Sequence, residues 1–181
     1  MEPIRKVGVV GGGQMGSGIA HVVALSGYDV AINDLSRDRY DAALEAITNN
    51  LARQVSRGKI SEDDKAAALA RISFAESYEG LSDADLVIEA ATEDESVKRK
   101  IFVSVCPFLK PDTILATNTS SISITRLAAT TDRPERFIGM HFMNPVPVME
   151  LVEMIRGIAT DDATFARAKD LVGSLGKTIA V

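Results

Sequence analysis

The pattern of this chain predicts an α/β fold, a doubly wound and mainly parallel sheet, and three observations lead there. Strand-like and helix-like apolar patterns alternate nearly to the last residue, which is how βα units with right-handed crossovers read in sequence. The first strand pattern, Ile4 to Val10, runs straight into the turn Gly11-Gly12-Gly13-Gln14-Met15-Gly16 and then into a helical pattern. No repeat or low-complexity linker divides the 181 residues. One domain, 1–181, is therefore expected, long enough to bury its own core.

The elements follow in order. Gln14 to Ser26 reads as a helix with Ile19, Val22 and Val23 on its apolar side, and Asp29 to Asn33 as a strand ending at Asp34. Tyr40, Leu44, Ile47, Leu51 and Val55 recur at helical spacing up to Gly58. Ser61, with Glu62-Asp63-Asp64 behind it, opens a second helix through a capping hydroxyl and first-turn acids. This pair, about 37–71, is longer than a simple crossover and is expected to project from the sheet edge. Strands then read at 72–75, 85–89, 113–117, 137–141 and 148–155, with helices over 95–109 and 161–175. Lys177 to Val181 reads as a last strand, either a sheet edge or part of something longer.

Bulk properties exclude several function classes. A net charge of −5 and a pI near 5.1 speak against a nucleic-acid surface. No apolar run approaches the ~20 residues of a membrane helix. The start, with Arg5-Lys6 and a glycine-punctuated strand, lacks a signal-peptide core. A single cysteine, Cys106, excludes internal disulfides and suits a reducing cytoplasm. It falls on the apolar side of a helix before Pro107 and reads as core filler. No metal site is expected.

The glycine turn carries the first chemistry. Strand, G-x-G-x-x-G, helix, second strand and an acid about 20 residues on together form the Rossmann-type dinucleotide fingerprint. Gly11 permits the turn, Gly13 lets the backbone approach a pyrophosphate, and Gly16 lets the helix lie close on the strand; Gly12 is counted with them as cofactor-binding. Gln14 and Met15 open that helix, whose positive end would meet the phosphates. Asp34 at the tip of the second strand would accept from the adenosine ribose and repel a 2′-phosphate, which favours NAD over NADP. Arg37 and Arg39 would soften that repulsion. Asp34 is also a good helix N-cap, a task for which Ser36 competes.

In an open α/β sheet, ligands bind beyond the carboxyl ends of the strands. Asn118-Thr119-Ser120-Ser121, His141 followed by Asn144, and Glu89 with Glu93 and Lys98 all fall there. Glu153 lies between Leu151 and Ile155, so its carboxylate is expected on a buried face, where it needs a donor. His141 is the natural partner, because the other histidine, His21, lies in the first helix. Such a Glu would hold the imidazole's orientation and tautomer. The alternative is a solvated Glu153 and a His141 satisfied in the core. Beside a nicotinamide, a His–Glu pair suits alcohol–ketone interconversion: His141 moves the hydroxyl proton while hydride moves to the cofactor. Ser120 would bond the same oxygen and Asn144 the nicotinamide end. Ordinary turn chemistry also explains Ser120 and Ser121.

The runs 11–18, Glu89-Ala90-Ala91-Thr92-Glu93 with Lys98, Ala116 to Ser121 and His141-Phe142-Met143-Asn144-Pro145-Val146-Pro147-Val148-Met149-Glu150-Leu151-Val152-Glu153 resemble the 3-hydroxyacyl-CoA dehydrogenases, the bacterial 3-hydroxybutyryl-CoA type above all. The resemblance covers Ile4 to Val181. It implies His141 and Glu153 as the catalytic dyad and Ser120 at the substrate oxygen. It assigns Asp34, Glu93, Lys98, Ser120 and Asn144 to NAD. The implied reaction is (S)-3-hydroxyacyl-CoA to 3-ketoacyl-CoA, or the reverse. Ser120, Asn50 and Arg57 are implied for the acyl-CoA substrate; Arg53, Arg57 and Lys59 form a basic cluster that a solvated helix face explains equally well. Met143 replaces a phenylalanine common in the family. Members also continue about 100 residues further, into a helical domain that closes the cleft and makes a homodimer. That domain is absent here, so the chain is expected to bind NAD but to turn over poorly and not to form that dimer. Two other functions share most of these features: a dehydrogenase of a small sugar acid such as gulonate, and a non-catalytic dinucleotide-binding structural protein.

Overall fold

The computed structural model describes residues 2–181. One sheet contains β1 (Lys6–Val10), β2 (Asp29–Asn33), β3 (Ile72–Ala75), β4 (Leu86–Glu89), β5 (Ile114–Thr117), β6 (Phe137–Phe142), β7 (Leu151–Arg156) and β8 (Thr178–Ala180). Their order is β3-β2-β1-β4-β5-β6-β7-β8, and every neighbouring pair is parallel except β6 with β7. Between them run α1 (Gln14–Leu25), α2 (Arg37–Ser56), α3 (Glu62–Ala70), α4 (Glu95–Val105), α5 (Ile124–Ala128) and α6 (Asp162–Ser174).

The parallel strands are apolar on both faces because helices cover both. In β1, Val7 and Val9 enter one buried cluster and Val10 the other; in β4, Leu86 and Ile88 oppose Val87 in the same way. Ile19 of α1, Tyr40 of α2, Ala68 of α3 and Leu171 of α6 share the first cluster. Phe102 of α4 and Leu127 of α5 share the second. From β1 the chain moves outward to β3, then returns to β4 on the other side. That reversal leaves a crevice at the carboxyl ends of β1 and β4.

Local chemistry explains the helix starts. Ser36 accepts from Arg39 N at the head of α2, and Ser61 and Asp64 form a reciprocal capping box on α3. Asp94 and Asp161 cap α4 and α6. The helical pair leans on α1, burying Tyr40, Ala43, Ile47 and Leu51 of α2, while residues 56–59 stand exposed.

Three elements differ from expectation. The helix expected to reach 109 ends at Val105 and tightens into a 3-10 turn, Cys106–Phe108, where Pro107 has no N–H to continue the ladder. The strand expected from 148 starts at Leu151, since the N–H groups of Val148 and Met149 both donate back to Pro145 O. The short helix α5 was not expected; five residues carry too little periodicity. Cys106 is buried and unbridged, and burial pushes its thiol up.

Candidate active site

At two positions of the turn after β1, only glycine fits. Gly11 has φ +97°, and a Cβ there would lie 2.6 Å from Ala91 Cα. A Cβ on Gly16 would lie 1.7 Å from Gly11 O, so α1 rests directly on the turn. Gly13, the N-cap, faces open space. The first turn of α1 has no capping side chain and no acid, which leaves its backbone donors and dipole to an anion.

Two compartments meet at this turn. One, about 290 Å³, lies between Gly11–Gly13, Asp34, Leu35, Arg39, Tyr78, Val97 and Ile101. Asp34 Oδ2 accepts from Gly12 N at 2.8 Å and Oδ1 from Leu35 N at 2.7 Å, so the carboxylate is held at the rim. Ser36, not Asp34, caps α2. Arg37 is occupied by Asp41 at 3.1 Å and lies over the Tyr40 and Phe74 rings. Burial pushes the Tyr78 phenol up, with Glu89 adding to the shift, so this wall stays neutral. The second compartment, about 270 Å³, continues past Gln14 and Met15 to Thr92, Glu93 and Asn118. Glu93 is tied across it, accepting from Thr119 Oγ1 at 2.9 Å. A strand-end acid, open glycines and an uncapped helix start together fit an adenosine diphosphate group.

Beneath this wall sits a buried ion pair. Lys98 Nζ lies 2.5 Å from Glu89 Oε1, and both side chains have no exposed surface. Thr117 Oγ1 donates to the same oxygen at 2.8 Å, and Ala91 N donates to Oε2 at 2.8 Å. Lys98, expected at the cofactor, turns its ammonium to Glu89 and Thr117, below the cleft surface. Lys98, Phe102 and Val105 fall on one buried stripe of α4, and that spacing was the signal.

At the neighbouring rim, the antiparallel register places His141 directly opposite Glu153. Nδ1 and Oε2 are 3.3 Å apart. The buried environment expected of Glu153 is corrected: its side chain is 49% exposed, against 20% for His141. Val152 and Met154 are the residues β7 sends into the core, while Leu151, Glu153 and Ile155 share the open face. Ile155 on that face lines a further hollow with Thr119, Ser120, Ser121 and Arg126. Ser120 is exposed there. His21 is buried between α1 and α2, its Nε2 2.8 Å from Gln54 Oε1. Burial pushes it down against the Gln54 bond, and Lys177 pushes it further the same way.

Asn144 and Asn50 lie together in a groove of about 400 Å³, between the glycine turn, α2 and residues 145–147. Asn50 Oδ1 accepts from Arg53 at 3.0 Å. Arg57 caps the end of α2 and is exposed beyond that groove. The sequence pattern singled out neither Tyr78, Val97 nor Ile101, and it placed Asn118 on the ligand rim without a specific role. Only Asn118, first after β5, carried a signal, its position at a strand's carboxyl end.

Residues 6–181 match the family described as 3-hydroxyacyl-CoA dehydrogenase, NAD binding domain. A 3-hydroxybutyryl-CoA dehydrogenase of Bradyrhizobium diazoefficiens is 64% identical over 98% of this chain and 61% of its own length. A probable 3-hydroxybutyryl-CoA dehydrogenase of Bacillus subtilis is 45% identical over 97% of the chain and 61% of its own length. The crystal structure of (S)-3-hydroxybutyryl-CoA dehydrogenase from Ralstonia eutropha superposes with a TM-score of 0.95 at 48% identity, covering 97% of this chain and 62% of that one. The chain thus spans about 61% of the length of the curated relatives it matches. It belongs to the NAD-binding domain family of the 3-hydroxyacyl-CoA dehydrogenases.

Proposed function

We propose that this chain carries the NAD-binding and acid–base groups of a dehydrogenase that oxidises an (S)-3-hydroxyacyl-CoA, 3-hydroxybutyryl-CoA in particular, to the 3-ketoacyl-CoA, or runs the reverse reduction. The observation that carries this reading is the facing of His141 and Glu153 at the rim beside the dinucleotide cleft. When bound, NAD accepts the hydride that leaves C3 of the substrate. The remaining work falls to side chains. With Nδ1–H donating to Glu153, His141 presents Nε2 as the base that takes the proton of the 3-hydroxyl. In reduction the same nitrogen returns it to the carbonyl oxygen. Ser120 donates to that oxygen, and Glu153 keeps the tautomer that leaves Nε2 unprotonated.

Asp34 bonds the adenosine ribose, Gly11 to Gly16 with Gln14 and Met15 line the diphosphate, and Glu93 and Asn144 face the remainder of the cofactor. Lys98 holds Glu89 beneath them. The CoA arm is assigned to the groove lined by Asn50, with Arg57 near its phosphates. Acyl-CoA is the proposed small-molecule partner. The reducing cytoplasm is the proposed compartment, in keeping with one buried, unbridged thiol.

The test follows loss of NADH absorbance with acetoacetyl-CoA for this chain and its His141→Gln variant. The variant is expected to lose about 100-fold or more of the turnover, the usual scale for removal of an acid–base group. A loss under about tenfold removes the role given to His141. Turnover of gulonate in place of acetoacetyl-CoA removes the CoA assignment.

A further inference from the structure

We infer that Asn118 is a ligand of the nicotinamide–ribose half of the dinucleotide, donating through its side-chain amide while its amide oxygen anchors the strand end that carries His141. The inference rests on the dinucleotide reading above and adds a residue to it.

Two hydrogen bonds and the chain itself define the position. Asn118 N donates to Glu89 O at 2.9 Å, tying the residue to the end of β4. Its Oδ1 accepts from Phe142 N at 2.8 Å, tying it to the end of β6, one residue past His141. The backbone itself continues from β5. Asn118 thus joins three strand ends where the cleft meets the acid–base rim, and it is 7% exposed.

The bond to Phe142 also settles which way the amide faces. A backbone N–H can only donate, so the atom opposite it must be the oxygen, and the amide group points away from Phe142. Nδ2 forms no hydrogen bond among the described residues. It is also not among the buried polar atoms that lack partners, so it retains solvent access. Asn118 lines the compartment that continues from Gly13 past Gln14 and Met15 to Glu93. Asp34 places the adenosine at the opposite end, and the glycine turn takes the diphosphate. What remains for this compartment is the nicotinamide–ribose half, whose ribose hydroxyls and carboxamide oxygen are acceptors. A fixed, near-buried donor with no protein partner is complementary to them.

The experiment titrates the wild-type chain and Asn118→Asp with NAD and with ADP by calorimetry. Aspartate keeps an acceptor for Phe142 N–H and replaces the donor by an anion. The expected result is an NAD affinity weakened about tenfold or more, the scale of one lost bond plus an unpaired group. ADP affinity should change less than about threefold, because ADP lacks the half that Asn118 contacts. Equal NAD affinity in the two proteins, or equal losses for NAD and ADP, overturns the inference while leaving the dinucleotide site intact. A wild-type chain that binds neither ligand overturns both. Should Asn118→Asp not fold, Asn118→Ser is read by the same NAD-to-ADP ratio.

Discussion

Glu89 and Glu153 each hold a basic side chain at the carboxyl rim of the sheet, and their surroundings differ in every respect. Glu89 and Lys98 have no exposed surface and approach to 2.5 Å, with Thr117 donating to the same carboxylate oxygen and Ala91 N to the other. Glu153 and His141 lie 3.3 Å apart, half and one-fifth exposed. A buried pair recovers its desolvation cost only when every polar atom has a partner, and such a pair has one arrangement. An open pair costs little to form and leaves the second imidazole nitrogen free to exchange a proton. The floor of the cleft is closed to water, and the rim is open to it.

The comparison breaks most visibly at Lys98. Lys98→Met leaves the Glu89 carboxylate buried without its counter-charge, and should lower the unfolding free energy by about 3–5 kcal/mol in urea melts. Adding Glu89→Gln removes the stranded charge and should recover most of that loss. A single-variant cost below about 1 kcal/mol would place the pair with ordinary surface bridges.

Glu153→Gln probes the open pair. It should slow NADH oxidation by about 10–100-fold through loss of tautomer control. Its melting midpoint should stay within the shift expected for about 1 kcal/mol, since an exposed pair adds little to stability. A large stability loss with unchanged turnover would reverse the roles assigned to the two carboxylates.

The smallest effect comes from the histidine that is not at the rim. His21 is buried and held below its ordinary value of 6.5, so the unfolded chain binds its proton more readily than the folded one. Its contribution to stability is complete above 6.5 and is lost as pH falls below that value toward the folded one. The slope there is at most about 1.4 kcal/mol per pH unit. Urea midpoints from pH 7.5 to 5 should show this slope in wild type and lose it in His21→Gln.

Much of the fold was legible because it is written in local patterns. The glycine turn, the Ser61–Asp64 box and the alternation of strand and helix each depend on residues close in sequence. Of the two roles open to Asp34, the cap belongs to Ser36, and the carboxylate stands at the strand end instead, accepting from Gly12 N. Glu153 was misread. Apolar residues at 151 and 155 suggested that its face was the buried one, whereas β7 buries Val152 and Met154. Period-two alternation identifies two faces of a strand but not which one a neighbour covers. The inward turn of Lys98 was not legible for a related reason. Its motif suggested a ligand contact, while its place on the Phe102–Val105 stripe directed the ammonium inward.

The sequence by itself determined the class of fold, the turn that receives a dinucleotide and the residue types available at the strand ends. These follow from backbone sterics and short-range capping, which a local stretch of chain settles alone. Only the tertiary structure decided that His141 stands opposite Glu153, that Glu89 is matched by a buried Lys98, and that Asn118 turns its oxygen to Phe142. Each of those depends on strand register and on which surfaces are closed to water, and both are set by packing among elements far apart in sequence.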